Sequence, residues 1–243
     1  MDIVALEKIA ARAWPAAEEV HLGGWLIRAA SGHTGRANSC WTLEPPGRPV
    51  ETAVAAVEAW YAARSLPPVF RTSDGATAPR DLPRLLMAQG YAPEIETVMM
   101  LGPLTSRPDS QVSLSQAPDD GFRRVLFGVQ HRGDGDAQER LEVLSRIPAP
   151  KAFARLNLDG QPAAVGVCAV DGEWAGLSAM RTVAAVRRKG LGRRVIGALH
   201  EFAAEAGARR AYLQVEAQNA PAIALYRSLG FEPAFNYRHW RRT

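Results

Sequence analysis

The chain has 243 residues, of which 47% are hydrophobic and 22% charged, so it can bury the cores of two small domains and is neither a peptide-sized scaffold nor broadly disordered. No apolar run reaches the roughly 18 residues that span a bilayer, and the first ten residues lack a signal-peptide stretch, so we expect a cytoplasmic protein without a membrane segment. The net charge of +4 comes from residues 187–243, where 11 Lys and Arg face 4 Asp and Glu; this excess suits nucleic acid, a membrane surface or a phosphorylated small molecule.

The first half of the chain, residues 1–104, alternates between strand and helix patterns. Residues 50–64 place Val54, Val57 and Tyr61 on one face of a helix. The other elements predicted in this half are, in chain order, strands at 18–30, 36–43 and 69–72, a helix at 82–89 and a strand at 95–101. Residues 102–118 are rich in Pro, Ser, Asp and Gln, which predicts a linker between two domains.

The second half, residues 105–243, repeats this order of elements at greater length. Its strongest hairpin signal is Asp159-Gly160, which separates two predicted strands. The elements predicted here are helices at 122–130 and 137–145, strands at 151–158, 163–170 and 174–183, a helix at 191–206, a strand at 210–216, a helix at 220–229 and a strand at 234–240.

A short sequence similarity links the two halves. Each half has a predicted helix that ends at a glycine, Gly90 or Gly230, followed by an aromatic residue and then a proline. A glycine after a helix is common, so this match alone is modest evidence for a duplication. Together with the shared order of elements it favours an internal duplication.

The segment that carries the clearest chemistry lies between a predicted strand and a predicted helix. We call it the basic loop: Arg187, Arg188, Lys189, Gly190, Leu191, Gly192, Arg193 and Arg194. Glycines allow close approach to the backbone, and the start of a helix offers unpaired N–H groups and a positive dipole, so the loop predicts a site for a pyrophosphate. The alternative is an ordinary basic turn. The segment lacks the pattern of a Walker loop.

The basic loop and a second motif together resemble the GCN5-related N-acetyltransferase (GNAT) superfamily. The residues that carry the resemblance are Val183, Arg187, Gly190 and Gly192, followed by Leu213, Val215, Asn219, Ala222, Leu225, Tyr226, Leu229, Gly230 and Phe231. The resemblance covers residues 112–243. The first half matches only in its order of elements, because Pro45-Pro46-Gly47-Arg48 stands where the basic loop would be and Leu86 stands in place of Tyr226.

The resemblance implies an α/β (α+β) fold with two GNAT-like domains, each a mixed, mostly antiparallel sheet flanked by helices. We expect a degenerate GNAT-like domain that has lost cofactor binding at residues 1–104, a linker at 105–117 and an acetyl-CoA-binding domain at 118–243. In such tandem arrangements the inactive half lies against the active one, so residues 23–41 could also line the site.

The resemblance also implies an N-acetyltransferase that moves acetyl from acetyl-CoA, as cosubstrate, to an amine by direct attack. Tyr226 would protonate the leaving thiolate, a backbone N–H near Val183 would stabilise the oxyanion, and Glu216 would act as general base or bind the amine. The residues implied in acetyl-CoA binding are Arg181, Thr182, Val183, Arg187, Arg188, Lys189, Gly190, Leu191, Gly192, Arg193 and Asn219.

Each of these residues also has a purely structural interpretation. Tyr226 could pack in the core, Asn219 could cap the helix that follows it, and Glu216 could be a surface carboxylate. Glu173 is a weaker candidate for the base, and water is another. No histidine or cysteine spacing predicts a metal site, and the two cysteines, Cys40 and Cys168, are expected to be small buried groups.

Three functions remain open at this point. The first is the acetyltransferase, acting as a monomer or homodimer on an unidentified amine acceptor. The second is a non-catalytic acyl-CoA-binding or sensor module that keeps the basic loop. The third and least favoured is a nucleic-acid-binding protein, because the segment that follows residue 187 has few aromatic residues between its arginines.

Overall fold

A computed structural model describes residues 2–94, 96–128 and 134–242. Its helices are α1 Ile3–Arg12, α2 Val50–Ala62, α3 Leu82–Ala88, α4 Asp120–Phe127, α5 Asp134–Arg146, α6 Leu191–Glu205 and α7 Ala220–Arg227. Its strands are β1 Glu18–Leu22, β2 Trp25–Ala29, β3 Cys40–Trp41, β4 Val69–Ser73, β5 Tyr91–Pro93, β6 Thr97–Pro103, β7 Val112–Ser115, β8 Lys151–Leu158, β9 Gln161–Asp171, β10 Trp174–Thr182, β11 Arg210–Glu216 and β12 Glu232–Arg242. Residue 95 of one predicted strand and residues 129–130 of one predicted helix lie outside the described residues.

All twelve strands belong to one sheet, in the order β1-β2-β3-β4-β12-β6-β11-β10-β9-β8-β7, with β5 beside β12. Within the described residues only β3–β4 and β10–β11 are parallel pairs; the others are antiparallel. The predicted mixed α/β class with a mostly antiparallel sheet is confirmed. Each parallel pair lies in a different half of the chain.

The two halves are joined by an exchange of strands. Strand β6 belongs to the first half, yet it pairs with β11 on one side and with β12 on the other. Strand β12, in turn, continues past β6 and pairs with β4 and β5 of the first half. The sheet of each half therefore contains a strand from the other, and the boundaries at residues 104 and 118 stay a prediction.

This exchange also pairs the charges of the two halves. Arg238 contacts Asp74 and Glu96, while Arg241 binds Glu94 at 2.9 Å and Arg242 binds Glu58 at 2.7 Å. All four carboxylates lie in the first half. Part of the basic excess after residue 187 is thus matched inside the fold, without an external anion.

Three predicted elements differ from the structure. The strand predicted at 18–30 is a hairpin of β1 and β2, because Gly23 has a positive φ of 57° and turns the chain. The strand predicted at 36–43 is reduced to β3, since the Asn38 carboxamide accepts hydrogen bonds from the Ala30 and Gly32 N–H groups and holds a loop there. The predicted linker contains β7, which extends the sheet beside β8.

Helix α1 had no counterpart among the predicted elements. Its start is signalled by Asp2, whose carboxylate accepts a hydrogen bond from the Ala5 N–H at 3.0 Å. Inside the fold, the fully buried carboxylate of Glu7 binds the fully buried guanidinium of Arg71 at 2.6 Å and accepts a hydrogen bond from Ser73. Helix α1 is thereby fixed to β4, on the face of the sheet that also carries α4 and α5.

Candidate active site

The candidate site lies where β10 and β11 separate. Their parallel pairing runs from Trp174 opposite Arg210 to Leu177 opposite Leu213 and then stops, although both strands continue. A β-bulge follows in β10, with Ala179 in the left-handed region at φ 51°, and it turns the strand away from β11. The sheet therefore opens into a cleft at the carboxyl end of both strands.

The basic loop presents a row of free backbone donors beside this cleft. The Arg187 N–H donates to Ala184 and the Arg194 N–H to Gly190, but the six N–H groups from Arg188 to Arg193 have no partner among the described residues. The last three belong to the first turn of α6, where such groups are left free by helix geometry. Successive free N–H groups and a helix dipole can bind a diphosphate.

The shape of the loop suits close approach by such a group. Arg188 and Gly190 both have left-handed backbones, with φ of 63° and 75°. For arginine this conformation costs about 1 to 2 kcal/mol, so the backbone strain lies in the segment that carries the free N–H groups. A Cβ atom added to Gly190 would meet no atom within 4 Å, which leaves open space above the loop.

The charged side chains of the loop divide into two groups. Arg188 and Lys189 are exposed without an ion pair among the described residues, and Arg187 bonds only to the carbonyl of Thr182, at 3.2 Å. The Arg193 side chain turns instead to Ser228 at 2.6 Å, so only its backbone N–H faces the loop. The Arg194 guanidinium binds Asp109 at 2.5 Å, which ties the predicted linker to α6.

Tyr226 projects from α7 beside Phe231, with ring centroids 6.1 Å apart, and is largely buried. Its ring therefore packs in the core, as the structural interpretation predicts. Its hydroxyl, however, has no hydrogen-bond partner among the described residues and keeps contact with solvent, whereas the hydroxyls of Tyr61 and Tyr237 are both bonded. Burial raises the pKa of Tyr226, and the positive charge of Arg181 opposes that rise, so the phenol is protonated at neutral pH.

The edge of β10 offers one donor to the cleft. The Val183 N–H donates to the Ala163 carbonyl at 2.9 Å and is not available to a ligand. Because N–H groups of successive residues in an antiparallel strand point to opposite sides, the N–H of Thr182 faces away from β9 and towards the cleft. Of the backbone N–H groups of Val183 and Thr182, that of Thr182 is thus the one available to a ligand in the cleft.

The remaining predicted site residues occupy different positions. Asn219 caps α7, its side chain accepting from the Ala222 N–H at 3.3 Å. Glu216 is exposed at the end of β11, close enough to Arg181 for electrostatic attraction. Glu173 lies at the opposite end of the strand pair, 3.4 Å from Arg210. Cys168 is buried, and burial raises the pKa of its thiol to about 12.

The opposite face of the cleft is lined by residues that the sequence did not indicate. Arg36 and Trp14 from the first half meet Ser178 of β10 and Gln214 of β11 in a small depression. Gln214 accepts a hydrogen bond from the Tyr237 hydroxyl at 2.7 Å. Arg36 falls within residues 23–41, which we expect to line the site, and no local motif distinguishes it from other arginines.

The corresponding position in the first half is closed. After β3 pairs with β4, the Thr42 N–H and hydroxyl both bond to the Arg71 carbonyl. The Ala78 N–H bonds to the Thr42 carbonyl at 2.9 Å, so the chain fills the space that would separate the two strands. No cleft like that between β10 and β11 forms here.

Comparison with known proteins agrees with this architecture. Residues 1–240 match the family described as "Probable histone acetyltransferase Rv0428c C-terminal". The chain belongs to the GNAT superfamily. One curated relative of this GNAT protein is the "Uncharacterized N-acetyltransferase YobR" of Bacillus subtilis, which is 30% identical over 99% of this chain and 98% of the relative. Another is the "Probable histone acetyltransferase Rv0428c" of Mycobacterium tuberculosis, which is 33% identical over 94% of this chain and 70% of the relative. It is therefore an acyltransferase.

Solved structures show the same fold. A GCN5-related N-acetyltransferase from Kribbella flavida superposes with a TM-score of 0.71 at 17% identity, covering 99% of this GNAT protein and 95% of that chain. A tandem GNAT protein from the clavulanic acid biosynthesis pathway gives 0.62 at 14% identity, covering 97% and 86%. Across the described residues, no helix is long and apolar enough to cross a membrane.

Proposed function

We propose that this GNAT protein transfers an acetyl group from acetyl-CoA to an amine. The observation that carries the proposal is the row of six partnerless N–H groups in the basic loop, placed beside the separated ends of β10 and β11. The loop would hold the pyrophosphate of acetyl-CoA, with Arg187, Arg188 and Lys189 as counter-charges. The chain between the loop and the cleft would then carry the pantetheine arm along the edge of β10.

The chemistry follows from the groups around the cleft. Bound acetyl-CoA supplies an activated acetyl thioester. The Thr182 N–H is oriented to stabilise the negative charge that develops on the carbonyl oxygen. As the amine nitrogen bonds to the carbonyl carbon and the C–S bond breaks, Tyr226 gives its proton to the sulfur. The proton that the amine loses passes to Glu216 or to water, and direct transfer needs neither buried cysteine.

The proposed acceptor is an amine. The name of the mycobacterial relative suggests a lysine side chain as one class of amine. A non-catalytic acyl-CoA sensor would use the same loop, but it would have no need for a phenol whose hydroxyl is free and protonated. Tyr226 therefore favours turnover.

A pair of variants tests acetyl-CoA binding at the loop. Gly190→Asn and Gly190→Asp have nearly equal size and both tolerate a left-handed backbone, so they differ mainly in charge. With acetyl-CoA at about 100 times its Kd, wild type should gain about 2.7 kcal/mol, or roughly 5 to 10 °C in Tm, for a chain of this length. We expect Gly190→Asn to keep most of this shift and Gly190→Asp to lose it.

Calorimetric titration of the same three proteins gives the Kd directly. Equal affinity in the Asn and Asp variants would mean that the anion does not lie on the loop. A folded wild type without any affinity for acetyl-CoA would refute the proposed donor.

A further inference from the structure

The cleft contains a guanidinium group that forms no ion pair with any carboxylate in the described part of the chain. Arg36 lies on the indole of Trp14, 3.8 Å from the ring centroid, and makes no side-chain hydrogen bond or ion pair with the described residues. Its nitrogens keep contact with solvent. Two neighbouring arginines differ from it, because Arg28 binds Glu19 at 2.8 Å and Arg71 binds Glu7.

Arg36 is held in place by its surroundings and is not a loose surface residue. Its carbonyl accepts a hydrogen bond from Arg28 at 2.8 Å, and Trp14 beneath it is 1% exposed. The preceding loop is fixed by Glu139 of α5, which accepts from both the N–H and the hydroxyl of Thr34 at 2.6 Å. The five donors of a guanidinium are thus held ready in a fixed direction.

A second guanidinium reaches the same region from β10. Arg181 donates one bond to the Met180 carbonyl, its Nε is buried without a partner, and it forms no ion pair with the described residues. Desolvation, together with the nearby charges of Arg140 and Arg71, lowers the pKa of Arg36 to about 10, so it stays charged at neutral pH. Arg140 itself is paired with Asp136. Two guanidinium groups that form no ion pair with the described residues therefore lie near each other at the cleft, Arg181 within electrostatic reach of Glu216.

The opposite charge stands on β11. Alternation along a strand places Gln214 and Glu216 on one face, whereas Leu213 and Val215 point to the other face and pack in the core with residues of α6 and α7. Gln214 lies beside Arg36, and Glu216 lies at the open end of the strand. The cleft thus has a cationic side and, two residues along β11 from Gln214, a carboxylate that can attract an ammonium group.

The geometry points to an acceptor that carries both a primary amine and an anionic group, a carboxylate or a phosphate, with Arg36 and Arg181 binding the anion while Glu216 attracts the amine. Guanidinium groups bind either anion with two parallel hydrogen bonds. This inference rests on the proposed acetyl transfer. It makes Arg36, from the half without a cofactor loop, a specificity-determining residue of the other half.

The test compares acceptors in matched pairs that differ in the anion. One pair is Nα-acetyl-lysine and its C-terminal amide, and a second is phosphoethanolamine and ethanolamine. We expect the anionic member of at least one pair to have a kcat/KM about 10- to 100-fold higher in wild type, as for a hydrogen-bonded charged group. The pair that shows this difference identifies the preferred anion as a carboxylate or a phosphate.

In the pair that shows this difference, Arg36→Gln should bring the ratio of the two kcat/KM values close to one, mainly by raising the KM of the anionic member. Arg84→Gln, which removes an exposed arginine on α3, should keep the wild-type ratio. Arg36→Lys should give an intermediate ratio, because it keeps the charge but not the paired donors. Circular dichroism and thermal unfolding establish that each variant is folded.

Ratios near one in wild type, or equal ratios in wild type and a folded Arg36→Gln, would overturn the inference. So would a neutral or polybasic lysine peptide that is a better substrate than every anionic amine. If acetyl-CoA binds but none of these amines reacts, calorimetric titration with the anionic amines decides, and absence of Arg36-dependent binding overturns the inference as well. Failure to bind acetyl-CoA is a separate result, which refutes the proposed function and is measured without any acceptor.

Discussion

The contact between Glu139 and the loop that carries Arg36 can be tested by the substitution Glu139→Gln. The carboxylate is 1% exposed and accepts from the His33 N–H at 3.0 Å, from the N–H and hydroxyl of Thr34 at 2.6 Å, and from the Asn38 carboxamide at 3.0 Å. Glutamine has the same shape but only one acceptor oxygen. Its NH2 group must then face either the His33 or the Thr34 donors.

The magnitude follows from these contacts. One buried N–H left without an acceptor costs about 1 to 3 kcal/mol, and the remaining hydrogen bonds lose their charge assistance. We expect unfolding free energy to fall by about 3 kcal/mol and Tm by about 6 to 12 °C. The acceptor KM should rise because Arg36 loses its fixed position, while the Kd of acetyl-CoA stays near the wild-type value.

Urea unfolding and differential scanning calorimetry measure the stability, with Glu142→Gln as the control. Glu142 lies on the same helix, and among the described residues its carboxylate accepts a hydrogen bond only from the Gln138 side chain, so its change should stay within about 0.5 kcal/mol. Equal effects of the two substitutions would show that the Glu139 contacts do not fix the loop. A stability loss in Glu139→Gln without any change in acceptor KM would show that the position of this loop does not affect acceptor binding.

Two further predictions concern the proton donor and the exchanged strands. Tyr226→Phe should lower kcat about 100- to 10,000-fold without changing the Kd of acetyl-CoA, and Tyr91→Phe, in the first half, is the control. Because burial raises the Tyr226 pKa above its ordinary value near 10, deprotonation of Tyr226 should not lower the wild-type rate below about pH 10. A fall in the rate near pH 8 that is absent in Tyr226→Phe would contradict the role of Tyr226 as proton donor. Residues 105–243 alone should be insoluble or unfolded by circular dichroism, whereas co-expression with residues 1–104 should restore a folded complex; a folded isolated segment would refute the structural role of β6.

The sequence predicts most of the second half because its signals are local. The Asp159-Gly160 turn and the basic loop each combine special backbone residues with a periodic pattern on either side, and the structure has strands or a helix at those positions. Helix α1 also had a local signal in Asp2 followed by Leu6 and Ala10 at helical spacing. The roles of the predicted site residues stay predictions, although their backbone positions were predictable.

What the sequence could not supply depends on contacts between distant segments. Glu139 meets Thr34 across 105 positions, and Trp14 lies under Arg36 with no motif around either residue. The direction of a free N–H group cannot be read from the sequence either, since the register between β9 and β10 decides that the Thr182 N–H, and not the Val183 N–H, is available to a ligand. A basic loop can be seen in a sequence, whereas an unpaired arginine can be recognised only when its neighbours are known.

The exchange of strands brings the first half, which lacks a basic loop, to the candidate site of the second half. Because β6 lies between β11 and β12, the first half fixes the far side of β11, including Gln214 and Glu216 through their pairing with Met99 and Thr97. The same half supplies Arg36 and Trp14 to the cleft. Hydrogen bonds of Thr42 and Ala78 close the corresponding position in the first half, yet residues of that half line the cleft of the second half. Under the proposed function, the second half would bind the donor, and residues from both halves would contact the acceptor.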